Sequence, residues 1–268
     1  MKKILILQFR KNPENIANEI DVYTQAFQRL PVSLVFKNVF NDPIDWGNPE
    51  SICGGADAVI LGGSGDLFFD GGLEECNEAV TKSCSLAKLH APLFSYLEKK
   101  HIPTLGICFG HQILAYANGV QILNDKQQAK VGSHEIVLTE EGRNDPLFSN
   151  MQQQFTVQYG HRDSLSTLPE GATLLAYGEQ CHYSALRFCF NRYSLQFHPE
   201  LTADYMRKRY IADPSYLPKG STVETAIRDS RHSEQIFHNF VYKIMHADEV
   251  EQFIDEEIQT YEDSLTTR

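Results

Sequence analysis

The stretch that most constrains this chain runs from Thr104 to Leu114, Thr-Leu-Gly-Ile-Cys-Phe-Gly-His-Gln-Ile-Leu. The apolar run before Cys108 reads as a buried strand. After it, Ile113, Leu114, Ala117 and Val120 recur at a roughly helical period. Cys108 sits at the junction with a glycine two places away on each side. This is the Gly-x-nucleophile-x-Gly pattern of a sharp strand-to-helix turn, with Cys in the place of Ser. Side chains at the glycine positions would clash where such a turn forces backbone segments together. The turn lifts the sulfur above the sheet edge and sets it at a helix N-terminus, where free N–H groups and the helix dipole favour negative charge. The N–H of Phe109 becomes a candidate oxyanion donor. A buried cysteine before an ordinary helix start would carry the same short motif, so the rest of the chain must decide.

The first half has the grammar of a mostly parallel sheet with crossover helices. Ile4 to Phe9 is a compact apolar run, read as a first strand. Asn12-Pro13-Glu14 opens a helix, with a cap residue and then proline where the missing N–H costs nothing. Ile16, Ile20, Tyr23, Phe27 and Leu30 fall on one face of that helix. Val32 to Phe40 and Asp57 to Leu61 read as strands. The latter ends abruptly in Gly62-Gly63-Ser64-Gly65, which is neither a dinucleotide fingerprint nor a phosphate loop. It is either a plain turn or an anion cradle at a strand's carboxyl end. Leu73 to Lys100 reads as helical in pieces, with Pro92 marking a break or a new start.

From Val131 the period shortens. Ser133–Thr139, Phe155–Gln158, Ala172–Tyr177, Ser184–Phe190 and Tyr193–His198 read as strands, the last two joined by a hairpin turn at Asn191-Arg192. Gly142 to Pro146 reads as a loop. Leu201 to Ile211 and Ser233 to Met245 read as helices, with a loop at Pro214 and Pro218-Lys219-Gly220 between them. Residues 1–247 are read as one domain, with residues 202–232 as an insertion and 248–268 as an acidic tail.

The net charge of −11 argues against a nucleic-acid surface or an anionic membrane patch. The six cysteines include no Cys-x-x-Cys pair. The apolar run at the N-terminus is too short for a signal peptide, and no stretch is long enough to span a bilayer. A cytoplasmic setting with free thiols is the expectation. No His/Cys/Asp cluster has metal-ligand spacing, so neither metal nor cofactor is expected.

The second chemical signal is Gln196-Phe197-His198-Pro199-Glu200. On an extended backbone His198 and Glu200 share a face, and Pro199 keeps His198 out of the helical region. That pairs an imidazole with a carboxylate able to orient it, as in a nucleophile–base–acid triad.

Together, Gly106-Ile107-Cys108-Phe109-Gly110-His111-Gln112 and Gln196-Phe197-His198-Pro199-Glu200 resemble class I glutamine amidotransferases, above all the glutaminase part of GMP synthase and its stand-alone relatives. The resemblance covers roughly Asp57 to Glu200. It implies a flavodoxin-like three-layer α/β/α domain with a mostly parallel central sheet and additional antiparallel strands. It implies Cys108 as nucleophile, His198 as base and Glu200 as its partner, with Gly63 and Phe109 as oxyanion donors. Gly62, Gln112, Tyr159, Gly160 and His161 would contact substrate. The family often has proline where this chain has Ser64. The implied reaction cleaves the γ-amide of glutamine through a thioester, with a separate synthetase subunit or water receiving the outcome, since no ATP-pyrophosphatase segment follows. A γ-glutamyl peptide or conjugate hydrolase is the alternative on the same triad, and a non-catalytic binding protein the alternative of another class.

Overall fold

The computed structural model describes residues 1–189, 191–212, 217 and 220–246. The acidic tail and the segment at Pro214 and Pro218-Lys219 lie outside the described residues. The first half supplies β1 (Lys2–Gln8), α1 (Pro13–Phe27), β2 (Val32–Asn38), α2 (Pro49–Cys53), β3 (Ala58–Leu61), α3 (Glu78–Lys99), β4 (Thr104–Ile107) and α4 (Phe109–Ala117). The second half adds β5 (Ile122–Leu123), β6 (Lys130–Leu138), α5 (Glu140–Asn144), β7 (Gln154–His161), β8 (Ser164–Leu165), β9 (Thr173–Gly178), β10 (Cys181–Cys189) and β11 (Arg192–Leu195). Then come α6 (Ala203–Ala212), α7 (Val223–Ala226) and α8 (Gln235–Asn239), the last continuing into a π-helical turn, Phe240–Ile244.

One nine-stranded sheet, in the order β2-β1-β3-β4-β11-β10-β9-β6-β7, organises the molecule. The strands from β2 to β11 in that order pair in parallel, and the rest antiparallel. The parallel part has the flavodoxin-like order, in which ligands bind beyond the strands' carboxyl ends. Strand alternation divides the core into two faces. Ile4, Ile6, Ala58 and Ile60 meet Tyr23 and Phe27 of α1 and Phe237 and Phe240 near the C-terminal end. Leu5, Leu7, Val59 and Leu61 meet Leu86, Leu93 and Leu97 of α3 and Ile113 and Leu114 of α4. Three layers result. Among the described residues no helix is long and apolar enough to cross a membrane.

Several local expectations change. Asn12 caps α1 as its sequence suggests, its side chain accepting from the N–H groups of Glu14 and Asn15. The helix is rotated from the expected face, however. Ile20 is exposed while Glu19 and Val22 are buried, because Glu19 binds Gln8 and Arg10 at the end of β1. The Gly142–Pro146 loop contains the end of α5 and the start of a short 3-10 turn. Residues 73–77 are not helical, and α3 begins at Glu78 behind the Asn77 cap.

Pro92 breaks nothing: α3 is continuous through it. Both Pro92 and Lys88, whose carbonyl loses its helical partner, lie on the solvent side, where water replaces the missing bond. Pro92→Ala is therefore expected to restore that bond and stabilise the protein by about 1–3 kcal/mol in urea unfolding. An unchanged midpoint would contradict a continuous helix.

Candidate active site

Cys108 sits between β4 and α4 as the N-cap of that helix, with φ 55° and ψ −100°. This conformation costs a non-glycine residue on the order of 1–3 kcal/mol and must be held by its surroundings. The holding contacts are close. A Cβ on Gly106 would run into the Gly110 carbonyl, and one on Gly110 into the Leu61 carbonyl. Both flanking glycines are thus required by backbone approach. The Cys108 N–H donates to the Leu195 carbonyl at 2.8 Å, tying the turn to β11.

The parallel pairing of β4 and β11 matches Ile107 with Leu195, so the residues that follow each strand emerge side by side. His198 lies three residues on. It leaves the extended run after Leu195 and is fixed by an isolated bridge to Gln158, its N–H donating to the Gln158 carbonyl at 2.8 Å. The expected strand to His198 is therefore shorter than its sequence suggests. His198 and Glu200 meet within a turn rather than as alternate residues of a strand. Their contact is nonetheless direct, His198 Nδ1 to Glu200 Oε1 at 2.6 Å, and both side chains are buried. Cys108 lines the same cleft as His198.

Burial alone would lower the His198 pKa. The charges of Glu200 and Cys108, and hydrogen bonds to both, outweigh it and push the value up to about 10. The neighbouring buried histidines behave oppositely. Burial takes His111 and His161 each down to about 3, leaving them neutral.

The Gly62–Gly65 loop closes the third side. A Cβ built on Gly63 would lie 3.0 Å from His198 Cε1 and 3.5 Å from the Cys108 Cβ. The N–H groups of Gly63 and Phe109 meet no acceptor among the described residues, so both are free for a developing oxyanion. Gly62 differs from expectation. Its N–H donates to Leu7 and its carbonyl accepts from Gly110, so its polar groups are used within the scaffold. Ser64 ties the loop to the residue that follows β1. Its hydroxyl donates to the Phe9 carbonyl at 2.7 Å and accepts from the N–H groups of Asp66 and Leu67.

Gln112, Tyr159, Gly160 and His161 all line the same cleft. The Gln112 amide donates to the Asp163 carbonyl at 2.8 Å. The Tyr159 hydroxyl pairs with Ser184, so this residue offers the cleft its backbone and ring. His161 Nε2 is buried without a partner. Three features take roles that the sequence motifs do not assign. Asp163 is a structural clamp whose carboxylate accepts from the N–H groups of Phe69, Asp70 and Gly71. Arg10 lines the cleft, its Nε donating to Glu19 at 3.1 Å. Residues Tyr205, Met206 and Tyr210 bring the segment after Glu200 onto the cleft wall. A carboxylate at position 19, between apolar helix positions, is the available sign that a buried cation stands nearby.

The raised His198 pKa makes a stability prediction with a definite sign. Its folded value of about 10 exceeds the ordinary 6.5, so the stabilisation is complete below about pH 6.5 and is lost as pH rises through 10. Urea midpoints measured across that window should fall more steeply for the unaltered protein than for His198→Gln. Equal slopes would contradict the ion-paired imidazolium.

Comparison with known proteins gives this geometry its family. The model of the glutamine amidotransferase class-I family matches residues 60–217, more than half of the chain. GMP synthase (glutamine-hydrolysing) of Malacoplasma penetrans is 29% identical over 208 residues, which is 75% of this chain and 34% of that protein. This chain thus spans about a third or less of the length of the first curated relatives it matches. A GMP synthase (glutamine-hydrolysing) subunit of Methanobrevibacter smithii is 28% identical over 200 residues, covering 74% of this chain and 81% of its own length. Among solved structures, a glutamine amidotransferase of Thermotoga maritima superposes with a TM-score of 0.63 at 19% identity, over 91% of this chain and 98% of the other. That likeness speaks for the fold. By the span and description of the matching model, the chain belongs to the class-I glutamine amidotransferase family.

Proposed function

We propose that this chain is a cysteine amidohydrolase that cleaves the γ-amide of glutamine through a γ-glutamyl thioester. The observation that carries the reading is the convergence of a strained, helix-capping Cys108 with a His198 ring held by Glu200. As His198 takes up the thiol proton, the Cys108 sulfur attacks the carbonyl carbon of the substrate's γ-carboxamide. The tetrahedral oxyanion lies against the N–H groups of Phe109 and Gly63. His198 passes a proton to the departing ammonia, and the C–N bond breaks. Water, relieved of a proton by the same ring, then attacks the thioester and releases glutamate. Glu200 keeps the imidazole oriented and stabilises its charged form. Gln112 and the Tyr159–His161 segment receive the amino-acid head of the substrate.

The ammonia passes to water or to a separate synthetase chain. The second destination is favoured by a relative that carries the name of a subunit. Hydrolysis by the isolated chain separates the two, since an enzyme dependent on a partner stays slow alone.

Cys108→Ser is expected to retain glutamine binding by calorimetry and to lose turnover by more than about 1,000-fold. A diazo-ketone glutamine analogue should label the unaltered protein at Cys108. Full glutaminase activity in Cys108→Ser would overturn the proposal.

A further inference from the structure

A buried amide that the proposed chemistry does not use stands between the His198–Glu200 pair and the 159–161 segment. Gln158 lies on β7, directly before the residues assigned above to the substrate's amino-acid head, and is fully buried. A buried glutamine has two N–H donors and a carbonyl oxygen to satisfy, and each one left unpaired is costly. All three are met. Oε1 accepts from the Ser133 hydroxyl at 2.9 Å. Nε2 donates to the Arg228 carbonyl at 3.2 Å and to the Ser230 hydroxyl at 3.0 Å.

These bonds close a circuit. The Gln158 carbonyl accepts from the His198 N–H at 2.8 Å. The His198 carbonyl accepts from the Leu201 N–H at 3.3 Å, so residues 198–201 form one turn. The Leu201 carbonyl accepts from the Ser230 hydroxyl at 3.4 Å, and that hydroxyl accepts in turn from Gln158 Nε2. Gln158, His198, Leu201 and Ser230 are all buried. Ser230 is itself anchored, since its carbonyl accepts from both the N–H and the hydroxyl of Ser233, in the turn that leads into α8.

The circuit bears on catalysis through the shape of that turn. His198 and Glu200 are two residues apart within it, so their 2.6 Å contact depends on its conformation. A turn fastened at one end can swing about that end, and one fastened at both cannot. Gln158 fastens the first residue and Ser230 the last. The turn must also keep its distance from the substrate segment. A Cβ on Gly160 would lie 4.0 Å from His198 Nε2, so the imidazole faces that segment. Gln158 joins the two, through its carbonyl to His198 and through the chain to Tyr159. Ser230 belongs to the stretch 202–232, which reads in sequence as an insertion. In this circuit the end of that stretch supports the site from beneath.

We propose that Gln158 and Ser230 are positioning residues for glutamine hydrolysis, locking the 198–201 turn so that Glu200, His198 and the substrate segment keep one geometry. This rests on the thioester reading and adds the side chains that hold its base in place. Each makes its hydrogen bonds within the circuit and its anchors, and acts through His198.

The test is steady-state hydrolysis of L-glutamine by the full chain, with the rate of Cys108 labelling by the diazo-ketone analogue measured beside it. Gln158→Met keeps the length of the side chain and removes its hydrogen bonds. Ser230→Ala opens the circuit at its other post. Each is expected to lower kcat by about 10- to 100-fold, the cost of slightly misplacing a catalytic group, with KM nearly unchanged. The labelling rate falls with kcat. Because both residues belong to one circuit, the double variant is expected to be scarcely slower than the slower single one. Asn239→Ala controls for lost stability. It removes a buried amide that donates to the Leu147 and Ser149 carbonyls, outside the circuit, and should destabilise the fold while leaving kcat as it is. Should Gln158→Met not fold, Ser230→Ala is read against Ser230→Thr, which keeps the hydroxyl and should keep most of the rate. Folded Gln158→Met and Ser230→Ala variants with kcat no lower than that of Asn239→Ala overturn the positioning role. They leave the thioester reading standing where the unaltered protein hydrolyses glutamine and is labelled at Cys108. Losses that multiply in the double variant overturn the shared circuit. An unaltered protein that neither hydrolyses glutamine nor is labelled overturns the thioester reading and this inference with it.

Discussion

The parallel pairing of β4 with β11 is the constraint on which the molecule depends. These strands are far apart in the chain, yet their register matches Thr104 with Arg192 and Ile107 with Leu195. Parallel strands end at the same edge of a sheet, so the turns after Ile107 and Leu195 project into the same space. The bond from the Cys108 N–H to the Leu195 carbonyl makes that adjacency rigid. Without this register the sulfur and the imidazole would have no shared cleft. The antiparallel strands beyond β11 reinforce it, since β7 contributes the Gln158 carbonyl that fixes the His198 backbone.

Electrostatics then distinguishes one histidine from its neighbours. His111, His161 and His198 are all buried. The first two lack a carboxylate partner and are held neutral by burial, His111 with Nδ1 against Ser194 and His161 with Nδ1 against the Asp163 carbonyl. His198 has Glu200 at 2.6 Å and Cys108 in the same cleft, and its pKa moves the opposite way. The separation between about 3 and about 10 is set by the neighbours, not by depth. Arg10 and Glu19 form a second ion pair in the same cleft. Burying two such pairs is expensive and adds little net stability. Their retention beside a strained Cys108 marks a region shaped for chemistry rather than for stability.

Much of this is legible in the residues. The glycines at 106 and 110 announce close backbone approach, and each does face a carbonyl that excludes a side chain. Alternating apolar runs place the strands, and Asn12-Pro13 places the start of α1. What does not show is set by tertiary contact. The face that α1 buries departs from its apolar pattern because a paired Glu19 outweighs the contribution of Ile20. Pro92 suggests a break because its solvent exposure is invisible in sequence. The His198–Glu200 contact is foreseeable, but the turn that makes it is not, since the bridge to Gln158 is a long-range feature. Arg10 stands in the first loop with no local motif to mark it.

One sulfur, at Cys108, is held to carry the acyl group between the two half-reactions. Acid quenching during turnover of glutamine, followed by digestion and mass spectrometry, reads this directly. A γ-glutamyl adduct is expected on the peptide containing Cys108, formed and lost in step with turnover. Glutamine consumed at full rate with that peptide never acylated would contradict it.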